Sequence, residues 1–168
     1  FQEMSLIPTL SVAQNIFLTR ELRGGAGLID DCSAERQTRA LFAELGVDID
    51  PRLLISDLSA GQQQLTEIVK ATSRKARVLI LDEPTTALSG SETERLFAFL
   101  ARLKAEGVAI VYVSHRMDEI FKIADTATIL RDGRHVVTAP VASGCTAHTT
   151  ATVVASGNAS APKRARSV

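Results

Sequence analysis

The chain has 168 residues, enough for one domain with a core of its own. Its 19 Lys and Arg balance 19 Asp and Glu, so no basic excess exists to hold a nucleic-acid backbone, and nucleic acid is not an expected partner. Apolar residues make up 45% and charged residues 23%, a globular composition; two distant cysteines, Cys32 and Cys145, predict neither a disulfide framework nor a zinc site.

The first predicted helix carries Val12, Ile16 and Phe17 and is capped by Ser11, whose hydroxyl can accept from unpaired first-turn amides. Gly24-Gly25-Ala26-Gly27 then breaks order as a surface loop. A second helix is predicted from Ser33, again a cap, with Leu41, Phe42 and Leu45 on one face and Gly46 at its end. From Leu58 onward helix and strand alternate: helix 60–75, strand 77–82, helix 91–106, strand 108–113, helix 116–124 and strand 126–130. Val78-Leu79-Ile80-Leu81 and Val108 to Val113 are continuous apolar runs, expected of central strands buried on both faces. Ser89 and Ser91, each three residues ahead of a Glu, predict two capping boxes, Gly107 a left-handed helix end, and Asp132-Gly133 a tight hairpin. Residues 139–168 are rich in Ala, Ser, Thr and Gly and contain no Asp or Glu. Neither period is visible there, and the segment is expected to be disordered or out of frame.

Three segments carry chemistry. Val78-Leu79-Ile80-Leu81-Asp82-Glu83-Pro84 delivers two adjacent carboxylates at the carboxyl end of a strand, where α/β sheets bind ligands. Carboxylates so placed repel one another and require a cation; by similarity to nucleotide hydrolases of this architecture, Asp82 would hold Mg²⁺ and Glu83 would polarise an attacking water, whereas as an isolated tripeptide the same residues read equally as a polar strand end. Leu58-Ser59-Ala60-Gly61-Gln62-Gln63-Gln64 opens a helix and sets a hydroxyl and close-approach amides at its positive end. Taken alone, Ser59 reads as an ordinary N-cap. Ser114-His115 follows the next strand, one helix and one strand after Glu83.

In that order the segments resemble the ATP-binding subunits of ABC transporters. Leu58-Ser59-Ala60-Gly61-Gln62 is similar to the signature loop, Leu79 to Pro84 to the Walker B strand, Ser114-His115 to the switch histidine, and Phe1-Gln2-Glu3 to the end of the Q-loop. The runs Gln2 to Ala13, Ser59 to Gln64 and Ser114-His115-Arg116-Met117-Asp118-Glu119-Ile120 resemble monosaccharide importers, specifically the first of their two nucleotide domains. The fold class this implies is α/β: a partial P-loop NTPase (RecA-like) core, a three-layer α/β/α parallel sheet, with a helical signature subdomain. Its implied extent is 1–138, divided into 1–58 (Q-loop end and helical subdomain) and 59–138 (signature helix and Walker B/switch core), with 139–168 as a tail.

The resemblance implies ATP and Mg²⁺ as ligands and ATP hydrolysis coupled to sugar uptake as the activity. Ser59, Ala60, Gly61 and Gln62 would meet an ATP held by a second nucleotide-binding domain, fused or dimeric. Gln2, Asp82, Glu83 and His115 would serve the domain's own nucleotide, with Asp82 and Gln2 toward Mg²⁺ and Glu83, His115 and Gln2 in catalysis. Ala87-Leu88-Ser89 would form the D-loop, with Ser89 at a position often acidic in the family. Transmembrane permease subunits and, through them, a periplasmic or extracellular sugar-binding protein are the implied partners, and the cytoplasmic face of the cell membrane the implied peripheral location. Leu6, Ile16 and Phe17 are expected either near the permease or in plain core. No Gly-x-x-x-x-Gly-Lys-Ser/Thr occurs in the sequence, so the groups that cradle the β- and γ-phosphates are missing. With Phe1 inside the resembled Q-loop, the expectation is an N-terminally truncated piece without ATPase activity of its own. Two alternatives are a catalytically dead module that donates its signature loop to a partner's ATP, and an ABC ATPase acting outside transport.

Overall fold

The computed structural model describes residues 5–24, 27–74, 76–131 and 134–141, and the backbone of 152–157. They fall into two compact units, Phe1–Ala76 with Pro84–Phe99, and Arg77–Glu83 with Leu100–Val168.

The first unit is helical. Helix α1 (Val12–Phe17) starts at a complete capping box, in which Ser11 Oγ accepts from the Gln14 amide and the Gln14 side chain accepts from the Ser11 amide. Leu6, Val12, Ile16 and Phe17 are buried, so these positions are subdomain core, each contributing about 1.5–3 kcal/mol by removal from water. Asn15 is fully buried and binds the preceding turn: its Oδ1 accepts from Ile7 N at 2.7 Å, and its Nδ2 reaches the carbonyls of Ile7, Leu10 and Ser11. Helix α2 (Asp31–Leu45) begins before the expected Ser33, because Asp30 takes the cap and accepts from Ser33 N and Ser33 Oγ. Its far end is as expected, with Gly46 at φ 74°. After a one-turn 3₁₀ helix at Ile55–Asp57, helix α3 (Ala60–Thr72) buries Leu65, Ile68 and Val69. It ends short of 75, with Ser73 closing on Val69 O. Along α3, Lys70 Nζ donates to Ser5 O at 2.8 Å and Glu67 accepts from Ser5 N at 2.9 Å. Desolvation holds the Lys70 ammonium below its ordinary pKa.

Helix α4 (Gly90–Ala105) follows a single capping box, Ser89 with Glu92. Ser91 lies inside the helix, so the second expected box with Glu94 does not form at its start. Gly107 has φ 89° and leads into the next strand.

The second unit holds a five-stranded sheet in the order β1-β2-β5-β3-β4. Strands β1 (Val78–Asp82) and β2 (Ala109–Ser114) pair in parallel, helix α5 (Met117–Ile123) follows, and β3 (Thr126–Arg131) forms an antiparallel hairpin with β4 (Arg134–Pro140). The hairpin residues Asp132 and Gly133 lie outside the described residues. Two expectations about the sheet need correction. Strand β1 is an edge strand with alternating burial: Leu79 and Leu81 are buried, while Val78 and Ile80 are 53% and 69% exposed. The apolar run therefore reflects the composition of a strand with one uncovered face among the described residues, rather than two covered ones.

The second correction concerns the tail. Thr152–Gly157, expected to lack regular structure, forms β5 and pairs antiparallel with both β2 and β3. Strands β2 and β3 run parallel to each other one strand apart, and their facing backbone edges supply hydrogen-bonding partners for any extended segment. The β-branched run Thr152-Val153-Val154 suits that conformation, although the average composition of the tail hides it. Strand β4 likewise runs two residues past the boundary expected at 138.

Candidate functional site

In the second unit the site follows from strand register. Asp82, the last residue of β1, lies opposite Val113 of β2. Glu83 N then donates to Val113 O at 2.9 Å, which carries the pairing one residue beyond the strand. Both chains thus leave the sheet side by side at their carboxyl ends, and the next side chains meet: His115 Nδ1 lies 2.8 Å from Glu83 Oε1. An ionised carboxylate only accepts, so Nδ1 carries the proton of this bond and Nε2 is the ring nitrogen outside it. The pair is open to solvent, with the side chains of His115 and Glu83 57% and 35% exposed. Glu83 sits at φ 43°. A non-glycine residue in that region is strained by about 1–2 kcal/mol, and such strain concentrates at functional positions. Asp82 beside it is exposed.

A second polar cluster lies beneath this turn. Glu119, in the first turn of α5, is 1% exposed. Its Oε2 accepts from the Tyr112 hydroxyl at 2.7 Å and from Ser114 Oγ at 3.1 Å, and its Oε1 lies 2.9 Å from Arg116 Nη1. Ser114 Oγ also accepts from Arg116 N at 3.0 Å. Sequence reasoning did not single out Glu119 or Tyr112. Two polar residues two apart on an otherwise apolar strand, with an acid in the next helical turn, were the available signal.

In the first unit Ser59 caps α3 through a capping box. Its Oγ accepts from Gln62 N at 3.2 Å, and Gln62 Oε1 accepts from Ser59 N at 3.0 Å. The ordinary capping reading of Ser59 is thereby realised, and because the oxygen is used as an acceptor the hydroxyl proton can still be donated. Ala60 is exposed, whereas Gly61 is buried. A β-carbon on Gly61 would stand 2.9 Å from Ala87 O and 3.4 Å from a Glu92 carboxylate oxygen. The start of α3 and the Ala87-Leu88-Ser89 segment are therefore in direct contact. Ser89 N and Oγ both donate to Glu92 Oε2, at 2.8 and 2.7 Å, which holds that carboxyl below its usual pKa. Gln2 lies outside the described residues.

Among the described residues no three His, Cys, Asp or Glu side chains cluster as a metal cage. One or two carboxylates at a strand end suit a cation that completes its shell with water and phosphate oxygens, as Mg²⁺ does. No helix of the described residues is long and apolar enough to cross a membrane.

The chain superposes on the dimeric structure of an ATP-binding cassette in a post-hydrolysis state, bound to ADP and Pi, with a TM-score of 0.72 at 22% identity, over 85% of this chain and 62% of that one. The fold is thus that of an ABC ATPase cassette, a P-loop NTPase architecture. The family model described as "ABC transporter" matches residues 1–86, and the chain belongs to that family. It is 50% identical over 143 residues to the ribose import ATP-binding protein RbsA 2 of Burkholderia ambifaria, a match covering 85% of this chain and 28% of that protein. It is 47% identical over 142 residues to the ribose import ATP-binding protein RbsA of Rhodococcus jostii, covering 84% of this chain and 28% of that protein. The chain spans little more than a quarter of the length of these relatives.

Proposed function

We propose that this chain supplies the Walker B, switch and signature elements of an ATP-hydrolysing subunit of a sugar importer. The observation that carries the reading is the contact of His115 Nδ1 with Glu83 Oε1 at the carboxyl ends of two parallel strands. Glu83 accepts a proton from the water that attacks the γ-phosphate, a role that contributes ~10²–10⁴-fold in positioned side chains. His115 fixes that carboxylate through Nδ1 and offers its outer edge to the γ-phosphate. Asp82, joined by Gln2, would hold Mg²⁺, which when bound neutralises charge on the β- and γ-phosphates.

Ser59 and Gly61, flanked by Ala60 and Gln62, present a hydroxyl proton and helix-start amides to the γ-phosphate of a nucleotide bound by a second nucleotide-binding domain, fused or dimeric. Ala87-Leu88-Ser89 lies against Gly61 and conveys the position of one half-site to the other. The half-site needs a phosphate loop, which these 168 residues do not contain; the isolated chain therefore turns over no ATP. The permease subunits bind the assembled protein at the cytoplasmic face of the membrane, and the sugar-binding protein acts through them from the other side.

A chimera tests this reading. Residues 5–141 replace the matching segment of the Burkholderia ambifaria ribose import ATP-binding protein, which is then expressed in cells lacking their own copy. Ribose uptake is expected with the chimera and lost with its Glu83→Gln variant. A chimera that accumulates as a folded protein without restoring uptake would count against the proposal.

A further inference from the structure

We propose that Glu119 is the positioning residue for the histidine of this site: a buried carboxylate that fixes the turn on both sides of His115 and so holds the imidazole on Glu83. The inference rests on the proposed pairing of Glu83 with His115.

A carboxylate that is 1% exposed loses most of its hydration, and an apolar residue of similar volume would fill the space without that loss. What the carboxylate adds is connectivity. One oxygen accepts from Tyr112 and Ser114, on the same face of β2, and the other takes the Arg116 guanidinium. Ser114 Oγ in turn accepts from Arg116 N. Residues 114 and 116 are therefore tied to the same carboxylate, with residue 115 between them. Tyr112 is itself fully buried, so its hydroxyl is a fixed reference point within the sheet. The imidazole of His115, by contrast, is more than half exposed, and solvent contact leaves its rotamer free unless the backbone beneath it is held. Glu119 acts on His115 through the turn, by way of residues 114 and 116.

The consequence is read in the His115 ring. While Nδ1 is held 2.8 Å from Glu83 Oε1, the neutral imidazole carries its proton on Nδ1. Released from the carboxylate, it reverts toward the Nε2–H form that a free imidazole prefers. The experiment labels the histidines of the 168-residue chain with ¹⁵N and records two-bond ¹H–¹⁵N correlations at alkaline pH, where imidazole is neutral. The parent chain and the Glu83→Ala, Glu119→Gln and Ser114→Ala variants are compared, each checked for cooperative unfolding; alanine rather than glutamine is used at 83 because a glutamine oxygen would still accept from Nδ1. His135, whose ring bonds Thr138 Oγ1 on the hairpin, serves as the internal reference. The proposal predicts an Nδ1–H signal for His115 in the parent and loss of most of it in all three variants, with His135 unchanged. Loss in Glu83→Ala alone overturns the role of Glu119 while leaving the Glu83 pairing intact. Retention in all variants overturns the pairing itself and the inference with it. Should Glu119→Gln fail to fold, the folded Ser114→Ala chain decides: retained Nδ1–H overturns the proposal, and its loss supports it.

Discussion

Gly61 lies so close to the carbonyl of Ala87 that a β-carbon on it would stand 2.9 Å from that oxygen. Glycine at position 61 is thus required by packing. Alanine in a helix gains up to ~1 kcal/mol over glycine, but here the obstacle is backbone, which cannot swing aside, and overpacking costs ~1–3 kcal/mol. Gly61→Ala is expected to destabilise the chain by about 1–2 kcal/mol in urea titration. An unchanged midpoint would show that residues 85–89 yield freely.

Asn15 makes a second prediction, because one buried amide serves four backbone groups of the 7–11 turn. Asn15→Leu leaves the part-buried Ile7 amide without its acceptor, worth ~1–3 kcal/mol of lost pairing, while the carbonyls of Ile7, Leu10 and Ser11 each keep a backbone donor. Asn15→Asp keeps the acceptor for Ile7 N but faces three carbonyls with a group that cannot donate when ionised. Both variants are expected to unfold at markedly lower denaturant concentration than the parent.

The Glu92 cap gives a pH dependence whose sign follows from the direction of its shift. Hydrogen bonds from Ser89 hold the folded carboxyl below its usual value, so the folded state binds its proton less readily than the unfolded chain does. Its contribution is complete above the ordinary glutamate range near ~4.3 and is lost as pH falls through the lower folded value. Glu92→Gln should flatten that part of the stability–pH profile, measured by thermal unfolding from neutral pH down through and below the ordinary glutamate range. A profile with the parent slope would contradict the cap.

Backbone strain at Glu83 predicts an order among variants. At φ 43° alanine keeps the strain and glycine removes it, so Glu83→Gly should be more stable than Glu83→Ala by about 1 kcal/mol. Equal stability of the two would mean that the positive φ carries no strain.

Much of this was legible in the sequence wherever a local rule had no competitor. Ser11 and Ser59 cap their helices, Gly46 and Gly107 end theirs, and the parallel pair β1 and β2 could be read from two apolar runs separated by a capped helix. The contact of Glu83 with His115 follows from the same reading, because parallel strands in register deliver their following residues together. Reading failed where the outcome depended on neighbours. Ser33 lost the cap to Asp30, which lies three residues earlier and can accept both its amide and its hydroxyl. Val78 and Ile80 were expected to be buried, yet burial depends on what covers a strand, and β1 lies at the sheet edge. Strand β5 was hidden because its pairing is set by the gap between β2 and β3, far away in sequence. Glu119 was missed for the same reason: its meaning lies in Tyr112, Ser114 and Arg116 around it.

The central claim, that Glu83 in contact with His115 drives hydrolysis, is tested most directly in the purified Burkholderia ambifaria chimera by measuring ATP turnover and nucleotide affinity together. Glu83→Gln is expected to lower turnover by ~10²-fold or more while nucleotide affinity stays within about threefold, since the variant keeps the shape and loses only the base. Turnover equal to that of the parent chimera would contradict the assignment.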